Sequence, residues 1–312
     1  MNNSRVAILV PVFNDWTSLN LLLTEIDKVL SSKFQFIDII VINDCSSNPK
    51  EINKELSNNI NLNSIDLISN VGHQRAILIG LCWIYDSNLT PDSIIVMDAD
   101  GEDDPNYIID LFKESIKKEN IVFASRNKRS ENIVFKISYF FYKILFKLLT
   151  GKSISFGNFS SIPALFLQRI CSDYNFWNHY SSSVMVSKIP FSSIMTNRRN
   201  RFDGYSKMNH VSLVMHGLSS ISVYIEIVIY RLILFLSILT SIFLALALFL
   251  IYLRFFTELT IPGWSSNILF IIFTNLFILF MFFMTFLLMH LNSRKTRINS
   301  PLSFYKEYIN EE

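Results

Sequence analysis

Two long stretches without a charged residue, 232–253 and 268–291, constrain the fold of this chain more than any other feature of its sequence. As helices with a rise of about 1.5 Å per residue they would measure roughly 33 and 36 Å, enough to cross a hydrocarbon core about 30 Å thick. A helix buried in a soluble protein rarely stays apolar on every face over such a length. The sequence therefore predicts two transmembrane helices joined by a short loop.

Basic residues flank this predicted pair at its outer ends. The connecting loop 254–267 holds a single Lys or Arg residue, Arg254. Basic residues stay preferentially on the cytoplasmic side, so we expect both termini in the cytoplasm and the loop outside. The chain would then be an integral membrane protein, of the inner or plasma membrane if its source is bacterial. The outer basic residues are Arg198, Arg199, Arg201, Lys207 and Arg231 before the pair, and Arg294, Lys295 and Arg297 after it.

Charge divides the chain into an acidic front and a basic, apolar back. Residues 1–120 contain nine Lys and Arg against 18 Asp and Glu, whereas residues 121–312 contain 19 against eight. This split indicates a soluble head on a membrane-facing body, and no nucleic-acid partner is expected. We predict a cytoplasmic domain with juxtamembrane amphipathic helices over 1–225, the two transmembrane helices within 226–293, and a cytoplasmic tail over 294–312. A homo-oligomer is compatible with the sequence.

The head alternates short apolar runs with helical patterns. Runs of β-branched apolar residues are typical of strands buried in a parallel sheet, and a 3.6-residue spacing of apolar positions indicates the helices between them. This alternation predicts an α/β domain with a mostly parallel sheet and with ligands at the carboxyl ends of its strands. The predicted strands are 6–10, 37–42, 65–68, 94–97 and 121–125, and the predicted helices are 18–30, 75–85 and one that begins at Pro105.

Residues 133–149 form a further helical pattern, with Lys136, Lys143 and Lys147 on one side of the helix. Two interpretations of this helix stay open. It would cover the sheet, or it would lie in the membrane interface with its lysines near lipid phosphates.

Acidic residues cluster directly after the fourth predicted strand. Asp98 and Asp100 are one residue apart, and Glu102, Asp103 and Asp104 follow them. Repulsion among carboxylates at a strand end is costly without a cation. Hard divalent cations take oxygen ligands and keep positions open for phosphate oxygens. The loop therefore predicts a divalent-cation site that accepts a diphosphate.

Polar loops also follow the first two predicted strands, at 10–15 and 41–47. In the second loop, Asp44 is a candidate acceptor for the ring N–H of a pyrimidine. The sequence contains neither a Gly-x-Gly-x-x-Gly nor a Gly-x-x-x-x-Gly-Lys-Ser/Thr pattern. Dinucleotide-binding folds and P-loop NTPases are therefore disfavoured.

Taken together, these loops resemble the family 2 glycosyltransferases of the GT-A fold. More narrowly, they are similar to the polyprenyl-phosphate sugar transferases, the group that contains dolichol-phosphate mannose synthase and the undecaprenyl-phosphate glycosyltransferases. The resemblance covers about residues 5–230 and continues into the apolar pair. Its motifs are Val10–Asp15, Ile42–Ser47, Asn70–Ala76, Asp98–Pro105, Ser125–Arg126 and Arg198–Lys207.

The resemblance implies a role for each matching position. It implies a nucleotide-diphosphate sugar donor, with UDP or GDP, and a Mg²⁺ or Mn²⁺ ion. Asp100 would be the main metal ligand, and Asp98 would lie near the ribose and the metal. The other implied residues are Pro11, Phe13, Asp15 and Asp44 for the nucleoside, Arg75 for the substrate, Arg126 for the sugar phosphate, and Arg198, Arg201, Ser206 and Lys207 for phosphates of acceptor or donor. The candidate catalytic residues among them are Asp98, Asp100, Arg126, Arg198 and Arg201.

The basic motif at 198–207 suits phosphate by its own chemistry as well. Two arginines three residues apart offer planar forks to phosphate oxygens, Gly204 allows a close approach of the backbone, and Lys207 adds a point charge. The alternative is a juxtamembrane cluster attracted to anionic lipid. The chain departs from the family pattern at Asp15, Asn43, Cys45, Ser155, Asn158 and Met208.

We predict an enzyme, a membrane-bound inverting glycosyltransferase that moves a sugar from the nucleotide to a polyprenyl phosphate for cell-surface polysaccharide or glycan modification. Polyprenyl phosphate is anionic at neutral pH, so its oxygen needs no strong base. A first alternative is transfer to a hydroxyl of a lipid-linked oligosaccharide, which would need a base such as Asp103 or Asp104. A second alternative is an inactive membrane scaffold that binds nucleotide sugar.

Overall fold

The computed structural model describes residues 4–52, 55–126, 133–153, 156–197, 199–202, 210–257, 263–295 and 299–310. The chain divides into two compact units. The sheet unit comprises the residues up to 143, residues 153–223 and the residues from 299 onward. The apolar unit comprises residues 144–152 and 224–298.

Seven strands form one sheet at the centre of the sheet unit. They are β1 (Arg5–Val12), β2 (Phe36–Asn43), β3 (Ile60–Asp66), β4 (Ser93–Val96), β5 (Ile121–Arg126), β6 (Phe156–Pro163) and β7 (Phe191–Thr196). Their order across the sheet is β3-β2-β1-β4-β6-β5-β7. Among these seven strands, β6 runs antiparallel to both of its neighbours, and all other pairs are parallel.

Helices cover both faces of this sheet. Side chains of β1 alternate between the faces, so Val6 and Ile8 pack in one core cluster, and Ala7 and Leu9 pack in the other. The first cluster contains α1 and α3, and the second contains α2 and α5 to α7. The helices up to residue 222 are α1 (Trp16–Leu30), α2 (His73–Asp86), α3 (Ile108–Lys118), α4 (Ile133–Thr150), α5 (Leu167–Ser172), α6 (Asn175–Asn178), α7 (Tyr180–Val186) and α8 (His210–Ser222).

The predicted α/β fold with a mostly parallel sheet is confirmed. Strands β1, β2, β4 and β5 agree with the predicted ranges to within two residues at each end. Strand β3 begins at Ile60, five residues before the predicted start at Ile65. Asn61 and Asn63 interrupt the apolar run because β3 is an edge strand, on which fewer positions are buried.

The sequence pattern does not predict β6 and β7. Strand β6 lies inside the sheet although it carries Ser160 and Ser161, both of which are fully buried. The Ser161 hydroxyl lies 2.7 Å from the hydroxyls of Ser93 and Ser115, so these polar groups satisfy one another. A strand whose buried residues are polar and bind one another contains no continuous apolar run, so the sequence pattern does not indicate it.

Two long helices, α9 (Ile225–Phe256) and α10 (Trp264–Lys295), dominate the apolar unit. They contact each other through a small cluster of Ala247, Leu250 and Ile272. By length and composition both are able to cross a membrane, and 6% of the most apolar window of each is buried inside the protein. The two long apolar helices of the predicted fold class are therefore present.

The chain rejoins the sheet unit after α10. A short helix, α11 (Pro301–Phe304), and a 3₁₀ turn, Tyr305–Tyr308, follow. Tyr305 is buried, and Ile309 forms an antiparallel bridge with Leu67, the residue after β3. The sequence pattern predicts only a tail here, because it does not show which surface the tail contacts.

Candidate active site

The carboxyl ends of β1, β2 and β4 lie at one edge of the sheet because these three strands are parallel. Strand β6 runs the opposite way, so its first residues reach the same edge. The loops that carry Asp44, Asp98 and Asp100 therefore lie near Asn158 of β6. An α/β sheet binds its ligands at this edge.

Asp44 follows β2 and is held by main-chain groups. Val71 N and Gly72 N donate to its two carboxylate oxygens at 2.7 and 3.0 Å, and Asn70 Nδ2 donates to its carbonyl oxygen at 3.1 Å. Gly72 has a φ of +88°, a conformation that favours glycine. Burial raises the pKa of Asp44, and the two amides and the nearby His73 lower it in part. A carboxylate accepts up to about four hydrogen bonds, so Asp44 retains acceptor capacity.

The loop after β1 is tied to the loop after β2. Asn14 N donates to Ser46 Oγ at 2.9 Å, and Asn14 Oδ1 accepts from Ser47 Oγ at 3.2 Å and from Asn48 N at 3.0 Å. Asn14 itself has a φ of +52°, which asparagine tolerates better than most residues. The two polar loops thus form one connected surface beside Asp44.

The later acids of the loop after β4 shape that loop. Asp103 Oδ2 accepts from Asp98 N at 3.2 Å, and Asp103 is buried. Asp104 Oδ1 accepts from Asn106 N and Nδ2 at 2.9 and 2.8 Å. Asp103 and Asp104 are therefore engaged with the main chain and side chains of their own loop. Asp104 also lies 3.8 Å from the guanidinium of Arg199. Of the two earlier acids, Asp98 contacts His73. Asp100 contacts Arg201 and accepts from Glu102 N at 3.0 Å.

The segment 199–202 packs on this acidic loop. Arg201 Nη2 lies 2.9 Å from Asp100 Oδ2, and Arg201 Nε donates to Glu102 Oε1 at 3.2 Å. In the main chain, Phe202 N donates to Asp100 O at 3.0 Å. The acidic loop and the basic segment are thus one connected structure, in which Arg201 places positive charge beside two carboxylates.

Gly101 makes this packing sterically feasible. Its φ is +81°, and a Cβ at this position would lie 2.3 Å from the ring of Phe202. Arg199 fixes the other end of the segment, because its guanidinium binds both oxygens of Glu25. A side chain at Gly101 would have to displace the ring and the basic segment with it.

His73, the first residue of α2, lies beside the acids. Its Nε2 is 3.1 Å from Asp98 Oδ1 and 3.0 Å from Asn158 Nδ2. Burial lowers the pKa of His73, but Asp98, Asp100 and Asp44 raise it by more, so the pKa lies above its ordinary value. Burial is the largest single influence on this pKa, and the three carboxylates together outweigh it. Nε2 cannot both donate to Asp98 and accept from Asn158, and protonation favours the contact with Asp98.

The structure brings four of the predicted site residues together. They are Asp44, Asp98 and Asp100 at the sheet edge, and Arg201 against Asp100. The prediction from the sequence did not assign His73, which connects the first three electrostatically. The only sequence signal for it was its place in the motif Asn70–Ala76.

Other predicted residues lie on β1, on the loop that follows it at the same edge of the sheet, and on α2. Pro11 is buried within β1, opposite Ile42. Phe13 lies beyond the end of β1 and is largely exposed, and Asp15 precedes α1 without capping it through its side chain. The guanidinium of Arg75 lies 5.3 Å from the ring of Trp177, so it makes a packing contact there.

Four predicted residues are not tested by the described part of the chain. Arg126 ends β5, and its side chain lies outside the described residues. Arg198, Ser206 and Lys207 also lie outside them. Their roles stay predictions.

Asp98 and Asp100 fit a divalent cation by their chemistry. Both offer hard oxygen donors, and the chain itself places a basic side chain within 3.1 Å of each. Among the described residues, no group of three or more His, Cys, Asp or Glu is arranged to hold a metal ion. A cation held by two carboxylates would keep its other positions for diphosphate oxygens and water, as Mg²⁺ commonly does.

Residues 7–174, more than half of the chain, match the family described as Glycosyl transferase family 2. The chain belongs to this family. Family 2 glycosyltransferases use nucleotide-sugar donors, so the predicted enzyme class is confirmed.

Relatives and solved structures agree with this assignment. The chain is 26% identical to the uncharacterized glycosyltransferase YkcC of Bacillus subtilis, over 85% of this chain and 82% of YkcC. It is 28% identical to YkoT of the same organism, over 70% and 68%. The structure of glucosyl-3-phosphoglycerate synthase from Mycobacterium tuberculosis with Mn²⁺, UDP-glucose and phosphoglyceric acid has a TM-score of 0.51 at 11% identity, over 72% of this chain and 80% of that chain. This structural similarity confirms the GT-A fold.

Proposed function

We propose that this family 2 glycosyltransferase transfers a sugar from a nucleoside diphosphate to a polyprenyl phosphate at the cytoplasmic face of a membrane. The observation that carries the donor site is the convergence of Asp44, Asp98 and Asp100 at one edge of the sheet. At this edge Asp44 would accept a hydrogen bond from the nucleobase, and Asp98 and Asp100 would bind the metal.

Asp44 is the proposed contact for the base of the donor. Its carboxylate is oriented by the amides of Val71 and Gly72 and retains capacity to accept a ring N–H. A uracil or a guanine offers such a group, so UDP and GDP are both candidates. The M. tuberculosis structure named above contains UDP-glucose on the same fold, which supports UDP as the first donor to test.

Asp98 and Asp100 would hold the cation. When bound, Mg²⁺ or Mn²⁺ supplies charge that stabilises the leaving diphosphate. Arg201, and the protonated form of His73, place further positive charge beside the same acids. These side chains would stabilise the negative charge that develops on the diphosphate.

The acceptor is proposed from its chemistry and from the apolar unit. A sugar hydroxyl would require a general base, and Asp103 and Asp104 were the sequence candidates. Each accepts hydrogen bonds within its own loop through one oxygen, so these contacts do not decide between the acceptors. A lipid phosphate is already anionic and needs no strong base, and two long apolar helices in the same chain suit a lipid acceptor.

The proposed reaction balances without a protein base. An oxygen of the lipid phosphate attacks the anomeric carbon from the face opposite the nucleotide and forms a new C–O bond. The bond from that carbon to the diphosphate breaks, and its electron pair leaves with the nucleoside diphosphate. Attack from the opposite face inverts the configuration of the anomeric carbon.

The apolar unit supports a membrane location. Most large apolar side chains along α9 and α10 are exposed, as expected for helices that face lipid. On α4, Phe140, Phe141, Ile144, Leu145 and Leu148 are exposed, which favours its interfacial interpretation. The chain leaves the sheet unit after residue 223 and rejoins it at residue 299, so an even number of crossings is expected. The lysines and arginines beside the pair support a cytoplasmic sheet unit.

The acceptor assay uses purified full-length protein in detergent with a panel of radiolabelled UDP- and GDP-sugars. Each donor is offered with bare polyprenyl phosphate and, separately, with a lipid-linked sugar. We expect a labelled lipid from the bare phosphate. Labelling only of the lipid-linked sugar would contradict the proposed acceptor and favour the hydroxyl alternative.

Arg201 gives this assay a matched pair of variants. Arg201→Ala removes the contacts with Asp100 and Glu102, whereas Arg201→Lys keeps the charge without the planar fork. We expect the KM for polyprenyl phosphate to rise about tenfold in the alanine variant and less in the lysine variant. An unchanged acceptor KM in both would leave Arg201 with the diphosphate of the donor alone.

Topology is tested separately with single cysteines introduced within the predicted connecting loop 254–267 and near the C-terminus at Asn310. A membrane-impermeant thiol reagent applied to intact cells should label the loop cysteine alone. Labelling at position 310 in intact cells would contradict the cytoplasmic placement of the sheet unit.

A further inference from the structure

Residues 299–310, which we call the return segment, pair with the main chain just beyond β3. Ile68 N donates to Tyr308 O, and Asn310 N donates to Asp66 O, both at 2.9 Å. The return segment therefore satisfies main-chain groups at an edge of the sheet that would otherwise lack a strand partner.

Leu67 lies between these two hydrogen bonds and is held from both sides. It forms an antiparallel bridge with Ile309 on one side, and its amide donates to Asn43 O at 2.9 Å on the other. Asn43 Nδ2 also donates to Asp66 Oδ1 at 2.8 Å. The chain after β3 is thus fixed between the end of β2 and the return segment.

The residues that orient Asp44 follow directly. Asn70, Val71 and Gly72 begin two residues after Ile68, and all three donate hydrogen bonds to Asp44. The pairing of the return segment therefore ends at Ile68, only three residues before the first main-chain amide that holds the proposed nucleobase acceptor.

Aromatic and polar contacts anchor the return segment independently of this pairing. The ring of Trp177 packs against Phe304 at 5.0 Å and against Tyr308 at 5.2 Å. Tyr305 is 1% exposed, and its hydroxyl donates to Asp86 at 2.8 Å. A segment with this many partners holds a defined position on the sheet unit.

We propose that the return segment is a positioning element for the nucleobase end of the donor site. This inference rests on the proposed function, in which Asp44 accepts a hydrogen bond from the base. The return segment fixes the chain from Asp66 to Ile68, so the amides of Val71 and Gly72 are in place before the donor arrives. Without it, the donor would have to order this loop on binding, and its affinity would fall by the cost of that ordering.

Asn310 offers a matched pair of substitutions in the full-length protein. Asn310→Pro removes the N–H that binds Asp66 O, whereas Asn310→Ala keeps it. The preceding residue, Ile309, has a φ of −93° and a ψ of 133°, which a following proline accepts. The Asn310 side chain is exposed, so the alanine variant should behave as the unmodified protein does.

Binding of UDP, and separately of GDP, is measured by calorimetry with Mg²⁺ at a temperature well below the unfolding midpoint. We expect the Kd of the bound nucleotide to rise about two- to tenfold in Asn310→Pro and to stay unchanged in Asn310→Ala. In turnover, the donor KM should rise by the same factor at constant kcat. A purely structural role would lower the unfolding midpoint without changing the Kd of the folded protein.

Asp44→Asn separates failure of this inference from failure of the proposed function. If Asp44→Asn weakens nucleotide binding and Asn310→Pro does not, the donor site stands and the inference is wrong. If Asp44→Asn leaves binding unchanged, or neither nucleotide binds the unmodified protein, the proposed donor site is wrong and the inference falls with it.

A second variant covers the case in which Asn310→Pro does not fold. Phe304→Ala removes a ring from Trp177 and leaves every main-chain donor in place. We expect faster hydrogen exchange at Val71 and Gly72, and a smaller rise in Kd than in the proline variant. Unchanged exchange at both amides in this variant would overturn the inference.

Discussion

Two loops at the same edge of the sheet hold their carboxylates in different ways. Both oxygens of Asp44, after β2, accept from main-chain amides, which carry no net charge and cannot leave without moving the backbone. After β4, Asp98 contacts the side chain of His73, and Asp100 contacts the side chain of Arg201 and also accepts from Glu102 N at 3.0 Å. Both loops present acids, and those of the second loop lie within 3.1 Å of basic side chains.

This difference corresponds to two kinds of ligand. A fixed acceptor suits a neutral base, which needs a defined geometry and brings no charge. Carboxylates with side-chain counter-ions suit a charged ligand, because a metal and a diphosphate can replace or join these partners at little backbone cost. The comparison predicts different consequences for the same Asp-to-Asn change in the two loops.

The largest effect is expected for Asp100→Asn. It removes one of two proposed metal-binding carboxylates, so turnover should fall about 100- to 1,000-fold while membrane insertion is unchanged. The assay is sugar transfer with and without EDTA. Asp110→Asn, the same change at an exposed position of α3, serves as the control and should keep full activity. Full activity of Asp100→Asn, or of the unmodified protein in EDTA, would contradict the metal role.

Asp44→Asn should have a smaller effect of a different kind. An asparagine has one acceptor oxygen, so either Val71 N or Gly72 N loses its partner, and the base contact is weakened. We expect the Kd for UDP to rise about tenfold or more, with kcat nearly unchanged at saturating donor. Titration of UDP against the same Asp110→Asn control checks this prediction. A loss confined to kcat would show that Asp44 acts in the chemistry instead.

Glycines in the two loops give a third comparison. Gly72 and Gly101 both have positive φ, at +88° and +81°. A Cβ at Gly72 meets nothing within 4 Å, whereas one at Gly101 meets the ring of Phe202. Gly72 has a ψ of 152°, a combination with positive φ that is essentially restricted to glycine, so Gly72→Ala should cost about 1–3 kcal/mol of stability from the backbone alone. Gly101→Ala should cost more because it adds the clash with Phe202. Thermal unfolding in detergent measures both, and equal midpoints would contradict the packing of Phe202 on the acidic loop.

The smallest effect is expected for the pH dependence of hydrogen exchange in the return segment, the proposed positioning element for the Asp44 loop. Hydrogen bonds from Lys306 and Tyr305 hold the pKa of Asp86 below its ordinary value of 3.8. A carboxylate with a lowered pKa contributes stability above pH 3.8 that is lost as the pH falls through its folded value. Hydrogen exchange in residues 301–310, corrected for intrinsic rates, should therefore be constant from pH 7 to 5 and increase at pH 3. In Asp86→Asn this increase should be absent, and an equal increase would contradict the assignment.

Much of the fold follows from local sequence. Strand β2 (Phe36–Asn43) is a mostly apolar run interrupted by Asp38. Asp98 and Asp100 follow the end of β4, which the local pattern also locates. Strand β6 was not predicted because its residue Ser161 is polar. Ser161 is buried through hydroxyl contacts with Ser115 and Ser93, which lie 46 and 68 positions away in sequence. Such contacts leave no periodic signal.

The same holds for the site, where local motifs could be predicted from the sequence but contacts between distant residues could not. The motifs identified the acids, but not their partners. His73 and Asp98 are 25 positions apart, and Arg201 lies 101 positions after Asp100, so their pairing depends on the completed sheet. The return segment lies beyond two apolar helices in sequence, and only its docking beside Leu67 reveals a relation to the donor site.

A structure determined with UDP and Mn²⁺ tests the central claim most directly. The account predicts an anomalous manganese peak within coordination distance of Asp100, with the uracil in hydrogen-bond contact with Asp44. A nucleotide bound elsewhere, or manganese away from both Asp98 and Asp100, would contradict it.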